Sequence, residues 1–247
     1  MQLSWNVAVE EVKLAATTDE ICVVTGVGPG TGTALVKKFA ERYRVVMIAR
    51  DEQRLQALAA QLPGTIPMLC DVADPVALQS AVSAIAALGA PRVLLHNAVG
   101  GGSGDILSVD PDKLERNFQI NTVALLRLVQ AFGPGMVAAG AGVILATGNT
   151  AAYRGRANFV SFAPTKAAQR ILLESAARLL GPKGVHVAYV AIDAAIDVPW
   201  TRKALPDAPD DFFARPEDIA SECFHIAHQP RSTWTFDAVI RPFGENW

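Results

Sequence analysis

Apolar residues in this chain come in two alternating textures. Short runs such as Ile21-Cys22-Val23-Val24 and Val93-Leu94-Leu95 are apolar at nearly every position. Between them lie longer segments in which apolar residues recur every three or four positions. A short continuous run suits a strand buried on both faces, whereas the wider spacing lays one apolar stripe along a helix. The runs predict strands at about residues 21–25, 45–49, 66–70, 92–96, 142–147, 185–192 and 233–240. In the first intervening segment Leu35 with Phe39 and Val36 with Ala40 are four apart, as on one helix face. Leu55, Leu58, Ala59 and Leu62 share a side of a helix over 52–62, which Pro63-Gly64 stops. Asp74-Pro75 and Asp110-Pro111 each set a capping carboxylate before a proline at the first helical position, opening helices to 88 and to about 129. Further helices are expected over 162–180 and from Arg215-Pro216-Glu217-Asp218 onward. Strands alternating with helices predict a parallel sheet with helices on both faces, hence one doubly wound α/β domain over residues 20–247. Residues 1–19, where Leu3, Trp5, Val7 and Val9 alternate with other residues, read as an N-terminal extension.

Composition narrows the function classes. The chain is 51% hydrophobic and 19% charged, enough apolar material for a sheet covered on both sides. A net charge of −2 gives no electrostatic case for nucleic acid or an anionic membrane as partner. No continuous apolar run reaches the roughly 18–20 residues of a membrane span. Met1 to Glu20 carries Glu10, Glu11 and Asp19 without a basic segment, so no signal peptide is expected. Three cysteines without ligand spacing predict reduced thiols in a cytoplasmic protein and no metal centre, with Cys22 and Cys70 as small core residues.

Candidate chemistry begins where the first strand ends. Thr25-Gly26-Val27-Gly28-Pro29-Gly30-Thr31-Gly32 puts a glycine at every second position between a strand and a helix. Such a turn lets backbone N–H groups approach a dinucleotide pyrophosphate, and the helix end adds its partial positive charge. A tight structural turn is the alternative. In open α/β sheets ligands bind beyond the carboxyl ends of the strands. That rule marks the loops at 26–32, 50–51, 71–72, 97–104, 148–160 and 193–214.

Taken in order, these features resemble the short-chain dehydrogenase/reductase family over roughly residues 20–243. The resemblance is carried by Thr25-Gly26, Gly30 and Gly32, by Asp71-Val72, by His96-Asn97-Ala98, by Asn121, by Lys166 and by Arg215-Pro216-Glu217-Asp218-Ile219-Ala220. It implies a single Rossmann-type domain with a parallel seven-stranded sheet in the order 3-2-1-4-5-6-7. It implies a nicotinamide cofactor held by Gly26, Gly28, Gly30, Thr31, Gly32, Arg50, Asp71, Val72, Asn97, Ala98, Lys166 and the backbone near Ile196. Charge favours NADP(H) over NAD(H), because Ala49 stands where an NAD site wants a carboxylate and Arg50 follows it. Arg50 as a solvated loop residue, or Asp51 turned in to serve NAD, are the alternatives.

The resemblance also implies a catalytic serine and tyrosine, and here the chain departs. Counting back four from Lys166 gives Phe162 in place of the tyrosine, and thirteen more gives Asn149 in place of the serine. Asn149 can still donate a hydrogen bond to substrate, but Phe162 exchanges no proton. Val99, Asp193-Ala194 and Val198 are further departures on the same side. The candidate catalytic set is therefore Asn121, Asn149, Lys166 and Tyr153, the last a replacement proton donor four residues past Asn149. Asp193, His96, Arg154 and Arg156 are weaker candidates, and Trp200, Phe212 and Phe213 read as an apolar lid. Two functions follow as expectations: an atypical NADP(H)-dependent oxidoreductase acting on a small carbonyl, enone or imine, or a catalytically silent NADP(H)-binding sensor or scaffold. Family members pair through two long helices, so a homodimer or homotetramer is expected. Leu172, Leu173, Ala176 and Leu180 supply apolar positions for it, though core packing explains the same pattern.

Overall fold

Ile21 and Val23 face one helical layer while Cys22 and Val24 face the other, and all four are essentially inaccessible to solvent. That alternation within an apolar run is what a strand buried on both sides requires. The structure, a computed structural model, describes residues 18–244. The expected N-terminal extension falls outside the described residues except for Thr18 and Asp19.

The elements run β1 (Ile21–Thr25), α1 (Thr31–Ala40), β2 (Arg44–Ala49), α2 (Glu52–Gln61), β3 (Ile66–Leu69), α3 (Pro75–Leu88) and β4 (Pro91–His96). Then come α4 (Pro111–Phe118), a π-helical turn (Gln119–Val123), α5 (Ala124–Ala138), β5 (Gly142–Gly148), α6 (Ala163–Leu180) and β6 (Val185–Ile192). The chain ends with β7 (Ala195–Ile196), α7 (Pro199–Ala204), β8 (Phe213–Ala214), α8 (Pro216–Ala227) and β9 (Asp237–Ile240). Seven strands form one sheet, β3-β2-β1-β4-β5-β6-β9, every pair parallel, and β9 is the seventh strand expected. Apolar faces of α3, α5 and α6 cover one side of this sheet, and those of α1, α2 and α8 cover the other.

Three expectations need correction. The helix from Asp110-Pro111 does not stop near 129 but continues through the π turn to Ala138. Leu125, Leu128, Phe132 and Met136 prolong its buried stripe, and that burial overrides the Gly133-Pro134-Gly135 breaker. With α4 it makes a stretch of 28 residues, Pro111–Ala138, long and apolar enough by composition to cross a membrane, yet its stripe packs on the sheet. The last strand starts at Asp237, because Arg231–Thr233 is a 3-10 turn and the Trp234 ring stacks on His186 with centroids 4.8 Å apart. The segment expected to be irregular, 193–214, contains β7, α7 and β8, with β7 and β8 paired to each other. Leu173 and Leu180 are buried, and the partly buried Leu172 and Ala176 pack against the protein's own core, so core packing accounts for this pattern.

β5 and β6 are held in register up to the candidate site by one close fit. A Cβ on Gly148, the last residue of β5, would fall on the Tyr189 ring carbons. Tyr189 is fully buried, and its hydroxyl donates to the Asn149 carbonyl at 3.2 Å and accepts from the Asn149 N–H at 3.1 Å. The loop bearing Asn149 therefore hangs on this ring. Gly148→Ala is expected to destabilise the fold by about 1–3 kcal/mol in urea unfolding, as overpacking does. Adding Tyr189→Phe should rescue it only in part, because removing the hydroxyl still leaves the ring carbons in the way. An unchanged unfolding midpoint in Gly148→Ala would contradict the fit.

Candidate active site

β1 ends in the glycine turn. Gly26 has φ +70°, a left-handed conformation suited to glycine, and its α-carbon lies against the Ala98 backbone with no room for a side chain. Gly28 faces open space. Among the described residues the first-turn amides of Thr31 and Gly32 find no carbonyl, as at any helix start, and the buried Thr31 Oγ1 has no partner there either. Three donors thus converge at the N-terminus of α1 without an acceptor. They border a cleft of about 780 Å³. Gly26, Gly28, Gly30, Thr31, Gly32, Arg50, Asp71, Val72, Asn97, Ala98 and Ile196 all line it, along with Arg54, Val99, Val198, Trp200 and others.

Charge around the cleft is distributed unevenly. Asp51 caps α2 by accepting from the Arg54 N–H at 3.0 Å, and its second oxygen pairs with the Arg54 guanidinium at 2.9 Å. Arg50 is exposed and has no ion-pair partner among the described residues. Partial burial raises the Asp71 carboxyl, but hydrogen bonds from the Ala73 N–H and Arg116, with the charges of Arg116 and Arg50, hold it below its ordinary value. Asn97 links the turn to the strands: its Nδ2 donates to the Gly26 carbonyl at 2.9 Å and its Oδ1 accepts from Thr147 at 2.8 Å.

Behind the cleft is a buried polar network. His96 ends β4, with Nε2 on the Ile120 carbonyl and Nδ1 on Thr25 Oγ1, each at 3.0 Å. A carbonyl accepts only, so Nε2 carries the proton and Nδ1 accepts from the threonine hydroxyl. Burial, aided by the nearby Lys166 charge, pushes the imidazole down to about 3, so it is neutral and structural. Asn121, in the π turn, exchanges hydrogen bonds with both backbone groups of Gly100 at 2.8 Å and donates to Thr165 Oγ1 at 2.7 Å. Lys166 is 3% exposed, and burial lowers its ammonium to about 7. Its Nζ donates to Gln169 Oε1 at 2.9 Å and to the Thr147 carbonyl at 3.3 Å, and lies 5.8 Å from the centre of the Phe162 ring.

The other candidates are held away from the cleft or tied to the chain. Asn149 accepts from the Ala151 N–H at 2.9 Å and donates to the Ile192 carbonyl at 3.0 Å, bracing the ends of β5 and β6. Tyr153 does not line the cleft. Its hydroxyl is bound to Asp237, which Arg170 also grips, and burial with that carboxylate raises the phenol well above its ordinary value. Asp193 accepts from Thr150 and lies 3.8 Å from Arg154, while Arg156 is exposed. The Phe162 ring faces Gly101, and loop 100–104 is pinned to residues 158–161 by the Gly104 N–H on the Asn158 carbonyl and by Asn117, whose Nδ2 donates to the Gly101 and Ser161 carbonyls. Val198 is buried, with a methyl 2.8 Å from where a Gly30 Cβ would sit. Of the expected lid only Trp200 lines the cleft, since Phe213 is buried beneath the Arg202 guanidinium. Arg54 and Gln169 escaped the sequence reading. Each lies three residues after an anchor, Asp51 and Lys166, and that helical spacing was the available signal.

Comparison with known proteins places this geometry among relatives. The sequence model of the short chain dehydrogenase family matches residues 20–206. An L-xylulose reductase of Bos taurus is 31% identical over 229 residues, 88% of this chain and 92% of that one. A metagenomic short-chain oxidoreductase, solved in complex with NADP, superposes with a TM-score of 0.78 at 27% identity over 92% of this chain and 98% of its own. An L-sorbose reductase from Gluconobacter frateurii, complexed with NADPH and L-sorbose, reaches a TM-score of 0.82 at 21% identity over 93% and 97% of the two chains, a likeness of fold.

Two of the buried bases, His96 and Lys166, make the stability pH-dependent in defined windows. His96 ionises near 3 in the native state against an ordinary 6.5, so between those values the unfolded chain binds a proton that the native state refuses. Its contribution is complete above about pH 6.5 and is lost as the pH falls toward 3. Lys166, near 7 against 10.5, adds stability as the pH rises through that window and is least favourable at pH 7 and below. Lys166→Met should raise the unfolding free energy at pH 7 by about 1–2 kcal/mol and flatten the pH dependence between 7 and 10. A less stable Lys166→Met protein with an unchanged pH profile would contradict this electrostatic picture.

Proposed function

The chain belongs to the short-chain dehydrogenase family, and on that premise we propose that it is an oxidoreductase that holds NADP(H) in the glycine cleft and acts on a small organic substrate. The observation that carries this reading is the set of acceptorless donors at the start of α1: the Thr31 and Gly32 amides and the orphaned Thr31 Oγ1. A pyrophosphate is the ligand such a helix start fits. Gly26, Gly28 and Gly30 would admit it, Asp71 and Val72 would flank the adenine, and Asn97 and Ala98 would border the ribose. Lys166, Asn121 and the backbone near Ile196 would hold the nicotinamide end. NADP(H) is favoured because Arg50 is unpaired while Asp51 is spent on capping α2 and on Arg54, leaving no carboxylate at β2 for a ribose 2′-hydroxyl. The bound nucleotide would supply the hydride.

The reacting side carries the altered chemistry. Asn149 and Phe162 take the places of the family's serine and tyrosine. Phe162 has no proton to give, and a positioned general acid is worth roughly 10²–10⁴-fold. With its hydroxyl bound to Asp237, Tyr153 is an unsuitable replacement, and we assign the proton to solvent. A polarised C=C or an imine suits this site better than a ketone, because its reduction does not require an alkoxide to be protonated by a side chain. The second nitrogen-bound hydrogen of Asn149 would orient the substrate. The second reading, a nucleotide-binding sensor without turnover, is favoured by one specific observation: Asn149, Tyr153 and Lys166 all have their polar groups occupied by the chain itself.

Calorimetry should find NADPH bound at least tenfold more tightly than NADH, and Arg50→Glu should abolish that preference. Equal affinities in the wild-type chain would overturn the cofactor assignment. In a panel of ketones, enones and imines, NADPH oxidation is expected with the latter two classes; binding without any turnover would select the sensor reading. Asn149→Ser with Phe162→Tyr should raise ketone reduction by about 10²-fold or more, the share a positioned acid supplies. Continued silence of that variant with bound NADPH would show that the pocket, and not only its acid, is rebuilt.

A further inference from the structure

Gln169 lies one turn beyond Lys166 on α6, is wholly buried, and divides its carboxamide between two groups. Oε1 accepts from Lys166 Nζ at 2.9 Å, and Nε2 donates to the Asn121 carbonyl at 2.7 Å. The order of the two atoms is dictated by chemistry, since an ammonium only donates and a carbonyl only accepts. A carboxylate in this place would serve Lys166 but set lone pairs against the Asn121 oxygen. A leucine would leave both groups bare. The other groups facing Nζ are the Thr147 carbonyl and the Phe162 ring, and the titratable side chain whose field it shares is the neutral His96 at the end of β4. No carboxylate contacts Lys166 among the described residues.

We propose that Gln169 is a positioning residue that bridges Lys166 to the π turn, fixing the lysine nitrogen and closing the direct route by which a proton would pass from Lys166 toward Asn121. A water or hydroxyl in this gap would accept a proton on one side and release one on the other. A carboxamide holds its hydrogens and relays none. Lys166 then serves the nucleotide as a fixed hydrogen-bond donor and not as a proton carrier, which is consistent with a neighbour, Phe162, that has no proton to receive. The inference rests on the reading that Lys166 faces the nicotinamide end of the cofactor.

NMR of the full chain, labelled at lysine Nζ and Cε and at glutamine carboxamides, tests it by titration between pH 5.5 and 10. In the wild type the Gln169 carboxamide and the Lys166 signals should move together with one midpoint. Gln169→Glu should raise the Lys166 midpoint by at least one pH unit, a tenfold gain in proton affinity. Gln169→Leu should speed exchange of the Nζ hydrogens at least tenfold. A Gln169 signal that does not follow Lys166 in the wild type, or an unmoved Lys166 midpoint in folded Gln169→Glu, would overturn the bridge. Should both variants fail to fold, the wild-type titration alone decides. Saturating NADPH should shift the Lys166 signal. If it stays unmoved while Gln169 still follows Lys166, the cofactor reading falls and the bridge stands.

Discussion

A parallel sheet covered by helices on both faces spends the backbone amides of its strands in ladders, so polar chemistry collects where the ladders end. In this chain the ends of β1, β4 and β5 are fastened to one another before any ligand is considered. Thr25 at the end of β1 bonds His96 at the end of β4, and His96 bonds the Ile120 carbonyl at the mouth of the π turn. Asn97 joins the glycine turn to Thr147 of β5. Tyr189, pressed under Gly148, carries the same fastening across to β6. A fully paired buried network of this kind is rigid, and a rigid edge is what lets unsatisfied donors at α1 stay aimed at one place.

The edge divides into two halves with different characters. On the nucleotide side, the first-turn amides of α1 and Thr31 Oγ1 have no hydrogen-bond partner among the described residues, and Arg50 makes no ion pair there closer than 4 Å. On the reacting side nearly every polar group is already spoken for. Asn149 braces two strand ends, Tyr153 is held by Asp237, and Lys166 is held by Gln169. On the proposed reading, the open donors are where the nucleotide binds and the closed groups are where the chain supplies its own contacts.

Legibility followed the range of the interaction. The glycine turn, the Asp-Pro caps and the burial of β1 were readable because each depends on neighbours a few residues away. Counting back from Lys166 singled out Phe162 and Asn149 by the same short-range logic, as an expectation drawn from the family resemblance. What the sequence hid lay far along the chain: Gln169 meets Asn121 across 48 residues, and Tyr153 meets Asp237 across 84. No local pattern in Tyr153 distinguishes a hydroxyl facing substrate from one facing a carboxylate. Helix limits failed for a similar reason, since Gly133-Pro134-Gly135 reads as a stop while the sheet beneath keeps Phe132 and Met136 buried.

The proposed reading turns on a nucleotide half that is kept and a reacting half whose Tyr153 hydroxyl is tied to Asp237. A crystal structure of the chain with NADPH addresses it most directly. The account predicts the pyrophosphate on the Thr31 and Gly32 amides with Thr31 Oγ1 now bonded, the 2′-phosphate at Arg50, and Tyr153 still on Asp237. A structure in which Tyr153 has left Asp237 to face the nicotinamide, or in which NADPH lies outside the glycine cleft, would contradict it.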